Sequence, residues 1–238
     1  MIKAVVTGHT RGLGAAVAAE LVARGIPVLG LARGHAEIGE GMEQAVVDLG
    51  DAAALGAWLQ GHALRSFLAG CDTALLVNNA GVVTPVGPLA EQDPLAALRA
   101  AVVNVAAPLA LSSAFVQAAP QAERRILHVS SGAGRHPYAG WSAYCATKAA
   151  LDMHAQAVAL DAVPGLRIAS VAPGVIDTGM QAQIRNADAR DFPTLERFIA
   201  LKQDGGLATA DETGARLAAY LLAGGFGADP VTDLRALA

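Results

Sequence analysis

Residues Thr7 to Gly14 read TGHTRGLG and stand between the apolar run MIKAVV and the alanine-rich run AAVAAELVARG. A strand that breaks into a glycine-rich turn and leaves it as a helix is the opening unit of a parallel α/β sheet. Gly8, Gly12 and Gly14 allow a tight turn, a close approach of the backbone to a pyrophosphate, and close packing of helix on strand. Thr10, Arg11 and Leu13 complete the turn, and the first N–H groups of the following helix are free to meet phosphate oxygens. Its place between strand and helix separates this turn from an ordinary flexible loop and makes it a candidate dinucleotide cradle.

The rest of the chain repeats the alternation. Apolar runs predict strands at Lys3 to Thr7, Pro27 to Leu31, Glu43 to Val47, Thr73 to Val77, Arg125 to Val129 and Leu166 to Val171, with alanine- and leucine-rich segments of helical length between them. The expected fold is α/β, a doubly wound parallel sheet of Rossmann type in a single domain over residues 1–238. From Asp177 to Gly206 the alternation lapses into a more polar stretch, ahead of a last helix at about Ala210 to Ala223. An insertion beyond the carboxyl end of a strand is placed to cover a substrate, so residues 177–206 are the expected lid.

Composition narrows the function. Of 238 residues, 53% are hydrophobic and 16% charged, which suits one substantial core and not a disordered segment. A net charge of −4 with no basic run argues against nucleic acid or an anionic membrane as partner. Cys71 and Cys145 fit neither a disulfide framework nor zinc-ligand spacing, so no metal is expected and a reduced, cytoplasmic setting is. The sequence enters its first strand at once, and no secretion leader is expected. The most apolar long window, Ala96 to Ala119, holds Arg99, Asn104 and Pro108 near its middle and is expected to be a buried helix, not a membrane span.

A dinucleotide turn of this kind expects an acidic residue about 20 positions on, to hold the ribose 2′-hydroxyl. The sequence there is LGLARG, with Ala32 and Arg33 in place of the acid. Arg33, with Arg11 in the turn as a second guanidinium, suits a 2′-phosphate and points to NADP(H) rather than NAD. The plainer alternative is two solvated arginines.

The polar side chains of the chain's middle concentrate in SSGAGRHPYAGWSAYCATK, Ser130 to Lys148. Of Tyr138, Tyr144 and Tyr220, only Tyr144 has a lysine four residues later, and that spacing puts Lys148 on the same helix face. A cation there is expected to lower the phenol pKa toward neutrality and make Tyr144 the proton donor. His136 has no partner at ligand spacing and reads as a surface residue, while Cys145 points away from Tyr144 and reads as core. Tyr138 and Trp141 serve equally well as a flat substrate wall or as a cap on the core.

TGHTRGLG, NNAG at Asn78 to Gly81, the serine pair, YCATK and PGVIDT together resemble the short-chain dehydrogenase/reductase family. The resemblance selects Ser131, thirteen residues before Tyr144, as the serine that holds the substrate oxygen. It implies that Asn104 disrupts its helix locally and holds a water linking Lys148 to solvent, the alternative being an asparagine satisfied by backbone. It implies that Asn79, Ala80 and Gly81 border the cofactor, that Asp48 and Leu49 lie against the adenine, and that Pro173, Gly174, Val175 and Thr178 line the nicotinamide. The longer stretches AGVVTPVGPL, PGVIDTGMQAQIR and RFIALK resemble the sepiapterin reductase and benzil reductase branch. That branch implies an NADPH-dependent carbonyl reductase whose small-molecule substrate is a vicinal diketone or a pterin side-chain carbonyl, with Met180 and Asp233 joining Tyr138 and Trp141 on the substrate side; Asp233 would anchor a pterin, the alternative being a solvated C-terminal acid. The family resemblance further implies that the small-residue helices around 96–119 and 142–162 pack between subunits of a homodimer or homotetramer. A same-family dehydrogenase of an unrelated alcohol and a non-catalytic NADP-binding sensor are the alternatives; a hydrolase lacks its G-x-S-x-G elbow. Family members often end in a further strand, which only Val231 to Leu234 could supply here.

Overall fold

A computed structural model describes residues 1–37 and 39–237. Seven parallel strands, β1 (Ile2–Thr7), β2 (Val28–Ala32), β3 (Met42–Val46), β4 (Thr73–Asn78), β5 (Glu123–Val129), β6 (Leu166–Ala172) and β7 (Val231–Asp233), form one sheet in the order β3-β2-β1-β4-β5-β6-β7. The inner strands are buried on both faces, which is why they read as continuous apolar runs. Alternate residues serve two cores: Val5, Leu29, Leu76, Ile126 and Ile168 face one, Val6, Val28, Leu75, Leu127 and Ala169 the other.

Helix α1 (Gly12–Ala23) covers one face together with the last helix, while α2 (Ala52–Gln60), α3 (Ala63–Leu68), α4 (Pro94–Ala101), α5 (Ala107–Ala118) and α6 (Ser142–Leu160) lie on the other side. After β6 come α7 (Gly179–Arg185), α8 (Leu195–Gln203) and the last helix, α9 (Ala210–Leu222), which starts in a Thr209–Glu212 capping box. Gly214 lets α9 close on α1, since a Cβ there would lie 2.8 Å from the Ala16 side chain.

The structure departs from the sequence reading in three places. Among the described residues no helix joins β2 to β3; the connection is short and glycine-rich, and β3 is a half-exposed edge strand. The window Ala96 to Ala119 is not a uniformly buried helix: a π turn, Val102–Ala106, separates α4 from α5, and Leu98 faces outward at 62% exposure. The expected lid is polar only on its outside, because α7 and α8 turn Ile184, Leu195 and Phe198 inward. The tail does supply a strand, β7, paired with β6 at Ser170, Val171 and Ala172.

One polar chain is enclosed between the sheet and α6. His128, fully buried on β5, bonds Asn78 through Nδ1 at 3.1 Å and His154 of α6 through Nε2 at 3.0 Å. Burial lowers the His128 pKa to about 3, assisted by the nearby His154 and Lys148. A histidine depressed in the folded state stays neutral where the unfolded chain takes up a proton, so its contribution is present above the unfolded pKa and is lost as pH falls toward 3. Urea unfolding at pH 7 and at pH 5 is expected to show wild type losing about 2 kcal/mol more than His128→Gln between the two. Equal losses in the two proteins contradict the assignment.

Candidate active site

The glycine turn sits at the carboxyl end of β1. Gly8 and Gly12, at φ +70° and +56°, occupy backbone that side chains rarely adopt. At Gly14 the limit is space: a Cβ would lie 2.3 Å from both the Asn79 side-chain nitrogen and the Gly8 carbonyl oxygen. Asn79 braces the turn, its Nδ2 donating to the Thr7 carbonyl at 3.0 Å, and the N–H groups of Asn79 and Ala80 both donate to the Thr7 hydroxyl. Helix α1 starts with no side-chain cap and no acidic residue in its first turn, which leaves its N–H groups to an anion. Arg11 and Arg33 are exposed there, Thr10 is half-buried, Leu13 is in the core, and β2 ends at Ala32 without a carboxylate. From the opposite side Thr178 approaches to 3.4 Å of a Gly12 Cβ position, and Pro173, Gly174 and Val175 precede it, half-buried, beyond β6. Burial raises the Asp48 carboxyl, but the Gly50 N–H and the Arg99 guanidinium, at 3.0 Å, outweigh it and hold the group below the usual carboxylate range. Leu49 turns its side chain into the core, so only its backbone is left to border an adenine.

β5 delivers the serine pair, and the two part ways. Ser130 is buried and donates to Asp152 Oδ1 at 2.7 Å. Ser131 is half-buried, accepts the Ala133 N–H at 3.2 Å, and turns its hydroxyl to the Tyr144 phenol. Tyr144 and Lys148 share a face of α6; the Lys148 ammonium lies 5.6 Å over the tyrosine ring and donates to the Val129 carbonyl at 2.7 Å. Burial pushes Tyr144 up to about 12, with Ser131 pulling the other way, and pushes Lys148 down to about 8, with Asp152 opposing. The expectation that Lys148 brings the phenol toward neutrality is therefore corrected: the ammonium faces the ring and the Val129 carbonyl, not the hydroxyl, and burial penalises the phenolate.

Asn104 occupies the π turn, where the Ala107 N–H reaches back to the Val102 carbonyl. Its Oδ1 accepts the Val82 N–H at 2.9 Å, and its Nδ2 donates to the Val82 carbonyl at 2.8 Å and to the Thr147 hydroxyl at 3.1 Å. The helix disruption implied by the family resemblance is present. Both amide hydrogens are committed to protein, which leaves one Oδ1 lone pair for any water. Gly81 completes the cradle, since its Cβ position lies 3.4 Å from Asn104 Oδ1 and 3.7 Å from the Lys148 ammonium.

Asp152, one turn beyond Lys148, is the residue that sequence reasoning missed. Buried on α6, it accepts Ser130 and Ser170 hydroxyls, both at 2.7 Å, and the Arg135 guanidinium at 3.2 Å. Arg135 in turn donates to the Thr232 carbonyl of β7 at 2.7 Å. One carboxylate thus ties together the serine segment, the lysine helix, β6 and the tail. The signal was available: Asp152 is the only acid in α6.

Above these groups the expected lid closes an aromatic cluster. Trp141, 3% exposed, stacks on Phe192 with centroids 4.5 Å apart and meets Tyr144 edge-on at 5.3 Å. Tyr138 and Met180 pack at its margin, as does Cys145, while His136 is exposed. Trp141 therefore both caps a core and borders the phenol. Asp233 ends β7 in a two-pronged pair with Arg235, at 2.9 and 2.7 Å, and the Arg235 stem lies 3.6 Å from the Gly174 Cβ position. Phe192, Phe198 and Gln181, a buried lid amide with no hydrogen-bond partner, also escaped the sequence reading. Among the described residues no cluster of metal-binding side chains occurs.

Residues 3–189 match the family described as short chain dehydrogenase. The chain is 35% identical over 216 residues to a benzil reductase ((S)-benzoin forming) of Bacillus cereus, covering 85% of this chain and 87% of that one. It is 32% identical over 233 residues to the sepiapterin reductase of Meriones unguiculatus, covering 90% and 88%. A solved structure of a short-chain dehydrogenase/reductase from Burkholderia vietnamiensis is 49% identical, with a TM-score of 0.72 over 100% of this chain and 98% of the other.

Removing the Asp152 carboxylate strands two buried hydroxyls and a guanidinium. Asp152→Ala is expected to lose about 3 kcal/mol in urea unfolding, and Asp152→Asn, which keeps an acceptor oxygen, roughly half of that. A loss under about 0.5 kcal/mol in Asp152→Ala would remove it as the tie.

Proposed function

Because this chain belongs to the short-chain dehydrogenase family, in the branch that resembles benzil and sepiapterin reductases, we propose that it is an NADPH-dependent carbonyl reductase acting on a vicinal diketone. The observation that carries the reading is a Ser131 hydroxyl facing a buried, protonated Tyr144 with the Lys148 ammonium over its ring.

The cradle fits a nicotinamide dinucleotide: an uncapped α1, a turn in which a Gly14 side chain has no room, and Gly81 against Asn104 and Lys148. The glycine turn would hold the pyrophosphate, Asn79 to Gly81 and Pro173 to Thr178 the nicotinamide half, and Arg11 and Arg33 the 2′-phosphate, with no acid at the end of β2 to favour NAD. Bound there, the dinucleotide supplies the hydride.

The chain's own residues do the rest. Ser131 donates a hydrogen bond to the carbonyl oxygen and fixes it beside the phenol. Tyr144, protonated throughout the neutral range, gives its proton to that oxygen as negative charge develops. Lys148 stabilises the resulting phenolate and binds the nicotinamide ribose, and Asp152 favours its protonated form. Asn104 holds Val82 and the segment after Gly81 in place. The lid, with Trp141, Phe192 and Phe198, excludes water and offers flat apolar surface to an aromatic diketone. A pterin needs a charged anchor, and Asp233 is held by Arg235, so the diketone is the favoured substrate. Two or four copies are proposed to associate through the groove of about 510 Å³ between α4, α5 and α6, lined by Ala101, Val102, Val105, Ala106, Leu109, Ala146 and Thr147.

NADPH oxidation with benzil as substrate tests the reading. Tyr144→Phe is expected to lower turnover about 10²- to 10⁴-fold with NADPH binding intact, whereas retained turnover would remove Tyr144 as the acid. With Lys148 at about 8, wild-type kcat/KM is expected to be level below that pH and to fall above it. A profile level to pH 10 contradicts the assignment. Arg33→Asp is expected to move preference from NADPH toward NADH; a wild type that uses both equally contradicts the 2′-phosphate reading.

A further inference from the structure

Among the described residues, the segment that carries Arg33 has no helix to hold it. It leaves β2 at Ala32 and runs to β3 as an open connection in which Arg33, Gly34, His35 and Glu37 are exposed. Its fixed point is Ala36. Gln44 of β3 takes both backbone groups of that residue: its Oε1 accepts the Ala36 N–H at 2.9 Å, and its Nε2 donates to the Ala36 carbonyl at 3.0 Å.

The same amide reaches the glycine turn. His9, 3% exposed, bonds Gln44 Oε1 through Nε2 at 2.8 Å. Because the Ala36 carbonyl can only accept, the Gln44 nitrogen must face it, and Oε1 is left to accept from His9; the imidazole therefore carries a proton on Nε2. The ring lies on β2 at Gly30, the register partner of Gln44, where a Cβ would stand 2.5 Å from the ring atoms. Glycine at position 30 makes room for the histidine, and the histidine puts the turn within reach of β3. Neither contact follows from the strand-turn-helix pattern, since His9, Gly30 and Gln44 lie on three separate segments.

We propose that Gln44 and His9 are positioning residues for cofactor choice, a side-chain clamp that sets the distance between the Arg11 and Arg33 segments and so preorganises a site for a ribose 2′-phosphate. Arg11 follows His9 by two residues, and Arg33 precedes Ala36 by three. A loop fixed before the ligand arrives loses less conformational freedom on binding, and that advantage reaches only a ligand that touches the loop. The proposal rests on the NADPH reading above.

The test is calorimetric titration of the full-length protein with two probes, adenosine 2′,5′-bisphosphate and AMP, which differ only in the 2′-phosphate. Wild type is expected to prefer the bisphosphate. Gln44→Met keeps the length of the side chain and removes both hydrogen-bonding groups; the preference is expected to fall at least fivefold, through weaker bisphosphate binding at constant AMP affinity. His9→Ala cuts the link from the other end and is expected to lower the same ratio, which provides the reading if Gln44→Met does not fold. A wild type without preference overturns the NADPH reading and this proposal with it. A wild-type preference that survives both substitutions, or equal losses for the two probes, overturns the clamp alone.

Discussion

Lys148 places an ammonium, 4% exposed, beneath the tyrosine that faces the serine segment, and the surrounding structure is arranged to tolerate it. A charge so enclosed needs hydrogen-bond acceptors and an opposite charge. The Val129 carbonyl supplies the first at the end of β5, and Asp152, one helical turn away, supplies the second. Asp152 is itself kept in place by Ser130, Ser170 and Arg135, and Arg135 reaches β7. The need to keep one cation buried and protonated thus binds β5, β6, α6 and the tail into a single unit, with Ser131 and Tyr144 on its surface.

The tyrosine gains a definite state from this arrangement. Inside an apolar wall that Trp141 shares with Phe192 and Phe198, it remains a phenol across the neutral range, and a hydrogen on oxygen is what a carbonyl needs when charge develops on it. In the proposed reduction the lysine acts on the product of proton transfer more than on the resting phenol. That distinction is invisible in an i, i+4 spacing, which reports proximity along a helix but not where an ammonium points or how much water surrounds it.

Elements whose determinants are local were legible. The glycine turn, the six strand runs, the tyrosine–lysine pair and the last helix each follow from spacing within about ten residues. What was misread depends on distant partners. Nothing near residue 33 announces that Gln44 replaces a helix in holding its loop. The lid looked polar because Phe192 and Phe198 are spaced too irregularly to mark a face, and they find their partner in Trp141, far back in the chain. Asn104 was read through the family, and the structure shows its amide hydrogens engaged by Val82 and Thr147. The tail strand was foreseen in place, but its tie to Arg135 was not.

Lys148 is buried with a lowered proton affinity and stays charged near neutrality. The chain has three lysines, Lys3, Lys148 and Lys202, so carbon-13 labelling of the lysine side chains gives three signals, and the one absent from Lys148→Arg belongs to the site. Its chemical shift, followed from pH 6 to 11 in the unliganded protein, is predicted to titrate with a midpoint at about 8. A midpoint near the ordinary lysine value of about 10.4 would contradict the account.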